Sequence, residues 1–292
     1  SLIMIAMIIT MMSISRASGE RIAEVLSTKA DMELDGPGLK EVANGDIEFD
    51  NVSFSYGGKG QALCLKDINL KIKSGQMVGV LGTTGSGKSS LVSLIARLYD
   101  TTEGSVKVGN HDVREYNLTA LRNRVAVVLQ KNTLFSGTVR SNLQWGNKDA
   151  SDEEMMRALK IANADFIFTA KDGLDSVVEQ GGNNFSGGQK QRLCIARALL
   201  KDPRVIIFDD STSAVDTATD SQIRQALRTD VRGTTKIIIS QRVNSVIDAD
   251  MIIMMENGRI QDCGTHDELM SRNEVYQSLV RVQLGGSNAG SD

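Results

Sequence analysis

The 292-residue chain predicts a layered α/β fold built on a mostly parallel sheet. Short apolar runs at 77–81, 125–129, 204–208 and 236–240 alternate with stretches of helical spacing, the pattern expected of strands buried on both faces. Gly82-Thr83-Thr84-Gly85-Ser86-Gly87-Lys88-Ser89 follows the first run and opens a helix, which is the phosphate-loop pattern in its required context. Asn184-Phe185-Ser186-Gly187-Gly188-Gln189 places a second glycine turn at the start of another helical stretch.

Composition is that of an ordinary globular protein, 41% hydrophobic and 24% charged. A net charge of -3 with scattered Lys and Arg argues against a nucleic-acid partner. Cys64, Cys194 and Cys263 have no metal-site spacing and form an odd set, so they read as buried thiols in a reducing compartment. The two histidines, His111 and His266, sit in no recognisable site.

Leu2 to Met12 is almost wholly apolar but shorter than the roughly 20 residues that cross a bilayer. It reads as the cut end of a longer membrane helix; a buried core helix is the alternative. Ser13 to Leu26 turns polar yet keeps helical spacing, as in a helix leaving the membrane. Asp35-Gly36-Pro37-Gly38 then breaks it as a linker. Ile47 and Phe49 alternate, and Val52 and Phe54 alternate on a shifted phase, which predicts a bulge at Asp50-Asn51. Ile68, Leu70 and Ile72 form a further alternating strand. Leu91, Leu94, Ile95 and Leu98 share one face of the helix after the phosphate loop. Ser151-x-x-Glu154 and Thr265-x-x-Glu268 are capping boxes. Asn257-Gly258 joins two strands as a tight hairpin. The tail from Gly285 to Asp292 reads as disordered.

At the phosphate loop, a strand, a glycine turn and a helix start aim several N–H groups at one point, where the helix dipole adds positive potential. Lys88 is placed to reach the outer phosphates, and the Ser89 hydroxyl to hold Mg²⁺. The chain is therefore expected to bind a nucleoside triphosphate. One nucleotide does not readily need a second glycine anion site from the same subunit. A dimer in which each chain offers its second loop to the other's nucleotide resolves this.

The phosphate loop together with Ser186-Gly187-Gly188-Gln189 resembles the nucleotide-binding domain of an ABC transporter of the exporter type, over about Ile47 to Leu284. The preceding helix resembles the end of a last transmembrane segment. The resemblance implies a P-loop NTPase (RecA-like) core with an antiparallel β subdomain and an α-helical signature subdomain that docks on transmembrane helices. It implies ATP and Mg²⁺ as cofactors, held by Tyr56 and by Gly82, Thr83, Thr84, Gly85, Ser86, Gly87, Lys88, Ser89 and Ser90. Tyr56 takes the position of the aromatic that stacks on adenine. Gln130 matches the Q-loop glutamine, which with Ser89 and Asp209 approaches the metal. Ser186 and the N–H groups of Gly187 and Gly188, with Gln189, face ATP of a second subunit. Ser213-Ala214-Val215-Asp216 resembles the D-loop, where Asp216 links the two sites. The family further implies residence at the cytoplasmic face of the plasma membrane. The boundaries expected are 1–34 for the membrane-helix end and its extension, 35–45 for the linker, 46–284 for the nucleotide-binding domain and 285–292 for the tail.

Two positions depart from the family pattern. Asp210 stands where Glu is usual as the base, and Gln241 where the switch histidine is usual. Shortening the base by one methylene withdraws its carboxylate by roughly 1 Å, enough to cost on the order of 10²-fold in rate. Gln donates a hydrogen bond but cannot become cationic, and charge at the terminal phosphate is a large catalytic term. Thr83 in place of a common Pro and Phe185 in place of Leu are mild changes. The combination resembles the degenerate-site half of a heterodimeric multidrug-type exporter, whose partner carries Glu and His. A homodimeric exporter ATPase with Asp210 as a working base is the alternative. A nucleotide-gated clamp without a transport role is a third reading, at odds with the apolar start.

Overall fold

The computed structural model describes residues 1–28, 32, 36–210 and 216–285. It divides into two units, 1–36 and 37–292. The first contains one helix among its described residues, α1 (Leu2–Ser27). Its apolar side chains are exposed, and it is long and apolar enough to cross a membrane, with a mean hydropathy of 1.6 over its best window. The apolar start and the more polar stretch after it are thus one element. Arg16 and Glu20 pair one turn apart within it.

In the second unit, β1 (Ile47–Phe54) and β2 (Leu65–Ile72) precede β3 (Met77–Gly82) and α2 (Lys88–Ile95). Then come β4 (Glu103–Val108), β5 (His111–Asp112), α3 (Leu118–Arg124), β6 (Val125–Val128), β7 (Gly137–Thr138), α4 (Val139–Gln144) and α5 (Asp152–Ile161). β8 (Val177–Val178), α6 (Gly187–Leu199), β9 (Val205–Asp209), α7 (Thr217–Asp230) and β10 (Thr235–Ile239) follow. β11 (Met251–Glu256), β12 (Arg259–Gly264), α8 (His266–Arg272) and α9 (Glu274–Leu284) complete the described chain.

Among the described residues the main sheet runs β12-β11-β3-β10-β9-β6, parallel except for the antiparallel edge strand β12. A second sheet, β2-β1-β4-β5, is antiparallel. The expected bulge in β1 is present: its register with β4 shifts between Asp50 and Ser53, where Asn51 has φ +47°. The main sheet is apolar on both faces. Ile237 and Ile239 of β10 face the layer holding α2 and the antiparallel sheet, while Ile238 faces the layer holding α5, α6 and α7. This two-sided burial explains why β3, β9 and the Ile237–Ile239 stretch of β10 read as apolar runs.

Two expectations need correction. Leu98 does not lie on α2, which ends at Ile95. Arg97 adopts φ +46°, its N–H donates to Leu94 O at 3.1 Å, and Leu98 N–H donates to Ser93 O at 2.9 Å. That is a Schellman stop with arginine at the left-handed position. The cysteines are not uniformly buried: Cys194 is, Cys64 is half-buried and Cys263 is exposed on β12. Both capping boxes form, at Ser151/Glu154 and Thr265/Glu268. The disordered reading of the tail falls almost wholly on residues outside the described set.

Candidate functional site: a cavity at the ends of parallel strands

β3, β9 and β10 end together, and the loops leaving them build one cavity of about 330 Å³. β3 feeds the phosphate loop. There Gly85 and Gly87 take φ +82° and +99°, which L side chains rarely adopt, and a Cβ on Gly87 would come within 2.9 Å of the Leu65 side chain. Gly87 caps α2, so Lys88 and Ser89 occupy its first turn. β9 delivers Asp209 and then Asp210, and β10 leads through Ser240 to Gln241. Thr84, Gly85, Gly87, Lys88, Ser89, Ser90, Gln130, Asp209, Asp210 and Gln241 all line the cavity.

The polar groups are closely engaged. Ser89 Oγ donates to Asp209 Oδ1 at 2.9 Å. A hydroxyl and a carboxylate so placed fit a small, hard dication, which binds through few carboxylates plus phosphate and water oxygens. Gln130 Nε2 approaches Asp210 Oδ2 at 3.5 Å, the outer limit of a hydrogen bond. Lys88 Nζ donates to the carbonyls of Gly82 at 2.8 Å and Thr83 at 2.7 Å. Burial pushes the Lys88 ammonium below the usual lysine range, against the pull of Asp210 and Asp209. Asp210 is pushed the other way: burial and then the neighbouring Asp209 raise its carboxyl, with Lys88 and Arg242 opposing. Its backbone has φ +45°, and its N–H is fixed by Ile239 O at 3.1 Å. Left-handed backbone at a non-glycine residue beside a cavity is the kind of local strain found at functional sites.

Tyr56 lines an adjoining cavity of about 600 Å³, which shares Cys64 and Gly85 with the first. Its hydroxyl lies 2.9 Å from Ser90 Oγ, and its ring packs edge-on against Phe54 and Tyr99. Ser186, Gly187, Gly188 and Gln189 line neither cavity. They form the N-terminus of α6 as a capping box: Gln189 N–H donates to Ser186 Oγ at 3.3 Å, and Gln189 Oε1 accepts from Ser186 N–H at 2.9 Å. Asp216 caps α7, accepting from Thr219 N–H at 2.9 Å. Ser213, Ala214 and Val215 lie outside the described residues.

Sequence reasoning missed two parts of the site. Cys64, immediately before β2, walls both cavities and lies 3.3 Å from Ser90 Oγ, with no motif to flag it. The Asn257-Gly258 hairpin, legible as a turn, also braces the phosphate loop. Gly258 N–H donates to Ser86 O at 3.1 Å, and Gly258 O accepts from Lys66 N–H at 2.8 Å.

The comparisons with known proteins agree with this architecture. Residues 65–213 match the family described as ABC transporter. An uncharacterized ABC transporter ATP-binding protein, YknU of Bacillus subtilis, is 40% identical over 279 residues, covering 94% of this chain and 47% of the relative. A putative multidrug export ATP-binding/permease protein of Staphylococcus aureus is 42% identical over 244 residues, covering 83% of this chain and 42% of the relative. The solved structure of a bacterial Atm1-family ABC exporter with ATP bound superposes with a TM-score of 0.82 at 31% identity, over 94% of this chain and 47% of that one. The chain spans about half the length of the relatives it matches. With the family pattern matched across the phosphate loop and the second glycine turn, and the same fold in a solved exporter, this chain belongs to the ABC transporter family.

Proposed function

We propose that the chain is the ATP-binding motor portion of an ABC exporter, with its own site holding ATP·Mg²⁺ but hydrolysing it poorly. Lys88 and the N–H groups of the phosphate loop bind the phosphates. Tyr56 faces the adenine, and Ser89, Asp209 and Gln130 hold the metal. A bound Mg²⁺ would offset phosphate charge. The chain's own residues orient the nucleotide and shield it, while Asp210 and Gln241 are poor substitutes for a full-length base and a cationic switch. Ser186, Gly187, Gly188 and Gln189 would close over ATP held by a second, different subunit carrying Glu and His, and Asp216 would link the two sites. Residues 1–34 are then the end of a transmembrane helix and its extension, 35–45 a linker, 46–284 the motor domain and 285–292 a tail. The work is done at the cytoplasmic face of the plasma membrane.

The observation that carries this reading is the split within one cavity: Lys88, Ser89, Gln130 and Asp209 match the family's binding set, whereas Asp210 and Gln241 are the altered pair. The placement of Asp210 against Gln130 favours a second reading, a homodimeric ATPase with Asp210 as base. The ATPase rate of the chain and of its Asp210→Glu/Gln241→His double variant separates them. The first reading expects slow turnover that rises about 10²-fold in the double variant. Brisk turnover with no gain supports the second.

A further inference from the structure

The last turn of α9 reaches the loop that carries Gln241. The carboxamide of Gln283 spans two residues of that loop: Nε2 donates to Gln241 O at 2.9 Å, and Oε1 accepts from Val243 N–H at 2.8 Å. Reversing the amide would set donor against donor and acceptor against acceptor, so the pairing fixes its orientation. Elsewhere the loop is anchored at its ends. Ser240 N–H donates to Val80 O, Arg242 N–H to Ser240 Oγ, and the Val243 and Val246 side chains are fully buried.

Gln241 itself is exposed and stands between two cavities. One is the cavity that holds Lys88 and Asp209. The other, of about 580 Å³, is bordered by Thr83, Val275, Leu279 and Gln283. Open space on both sides leaves the backbone of Gln241 to be set by hydrogen bonds, and among the described residues the partner of its carbonyl is Gln283. α9 is well seated to serve as the fixed point. Tyr276 is fully buried, its hydroxyl 2.8 Å from His266 Nδ1, and Leu279 and Val280 pack on the core.

We propose that Gln283 is a positioning residue for triphosphate recognition: by clamping the main chain of 241–243, it holds the Gln241 amide where a terminal phosphate is felt. The inference rests on the reading of Gln241 as the group facing that phosphate. It makes α9 part of the element that distinguishes ATP from ADP, since ADP presents nothing at that position.

The test is the ratio of dissociation constants for Mg·ADP and Mg·ATP, measured on the full chain in detergent. Gln283→Met keeps the bulk of the side chain and removes both hydrogen bonds; Gln283→Ala serves as a second variant. Each is expected to lower the preference for ATP by about 3- to 10-fold, the effect of one or two neutral hydrogen bonds, with ADP binding unchanged. Gln241→Ala is expected to lower it as well, and Gln283→Met to add nothing in that background. An unchanged ratio in the Gln283 variants alongside a lowered one in Gln241→Ala overturns the proposal. So does an equal loss of ATP and ADP binding in the Gln283 variants. An unchanged ratio in Gln241→Ala removes the reading of Gln241, and the proposal with it.

Discussion

Asp210 combines a left-handed backbone, a carboxyl raised by burial and by Asp209, and an approach from Gln130. Its identity was legible in the sequence, but its backbone was not, because nothing in the residue order distinguishes a strained aspartate from an extended one. The position of Lys88 after the glycine turn was legible in the sequence; its bonds to the Gly82 and Thr83 carbonyls come from the curl of the loop. Replacing Lys88 with Ala is expected to raise the dissociation constant for ATP by about 10²-fold, the loss of charge-assisted contacts, as read by titration with a fluorescent nucleotide. Lys236 was legible as the start of a strand, but its burial was not. It lies almost fully buried in β10, and burial lowers its ammonium to about 8 despite the opposing pull of Asp250; Arg228 adds to the lowering. A lysine whose folded value lies below its unfolded value binds fewer protons when folded. Stability therefore rises with pH between about 8 and the ordinary lysine value of about 10.4, by at most about 1.4 kcal/mol per pH unit. Wild type is expected to gain urea-unfolding free energy relative to Lys236→Met as pH rises across that window. A difference that stays flat across it contradicts the assignment.

At the scale of the element, local rules served best where side chain and backbone signals coincide. The two capping boxes, the Asn257-Gly258 hairpin and the β1 bulge all follow from residues within a few positions of one another. α2 was overextended because its stop uses Arg97 in place of the glycine or asparagine that marks such stops. Arg97 is fixed there by its ion pair with Asp100, a contact invisible to apolar periodicity. Long-range support was the least legible. Gln283 reaches the Gln241 loop across 42 positions, and Arg224 of α7 pairs with both Asp220 and Asp248 while almost fully buried. Removing Arg224 leaves the buried Asp220 without its counter-ion. Arg224→Ala is expected to cost about 3–5 kcal/mol in urea unfolding, against about 1 kcal/mol or less for breaking the exposed Arg259–Asp67 pair. Comparable losses at the two sites contradict the role assigned to burial.

Across the whole molecule, the absence of the α6 glycine turn from the cavity that holds Lys88 and Asp209 supports a site completed by two subunits. Ser186→Ala is then expected to lower the ATPase of a partner carrying Glu and His by about 10²-fold, while this chain's own affinity for ATP stays within about twofold. The cap lost from α6 should cost about 1 kcal/mol of stability, too little to account for the rate. The most direct test of the account follows one turnover at this chain's own site. The chain is loaded with substoichiometric radiolabelled ATP and Mg²⁺, isolated, and the nucleotide recovered after times long enough for an ordinary transporter motor to turn over many times. If binding is retained and hydrolysis weakened, the label is recovered as ATP. Recovery as ADP from the unmodified chain contradicts it.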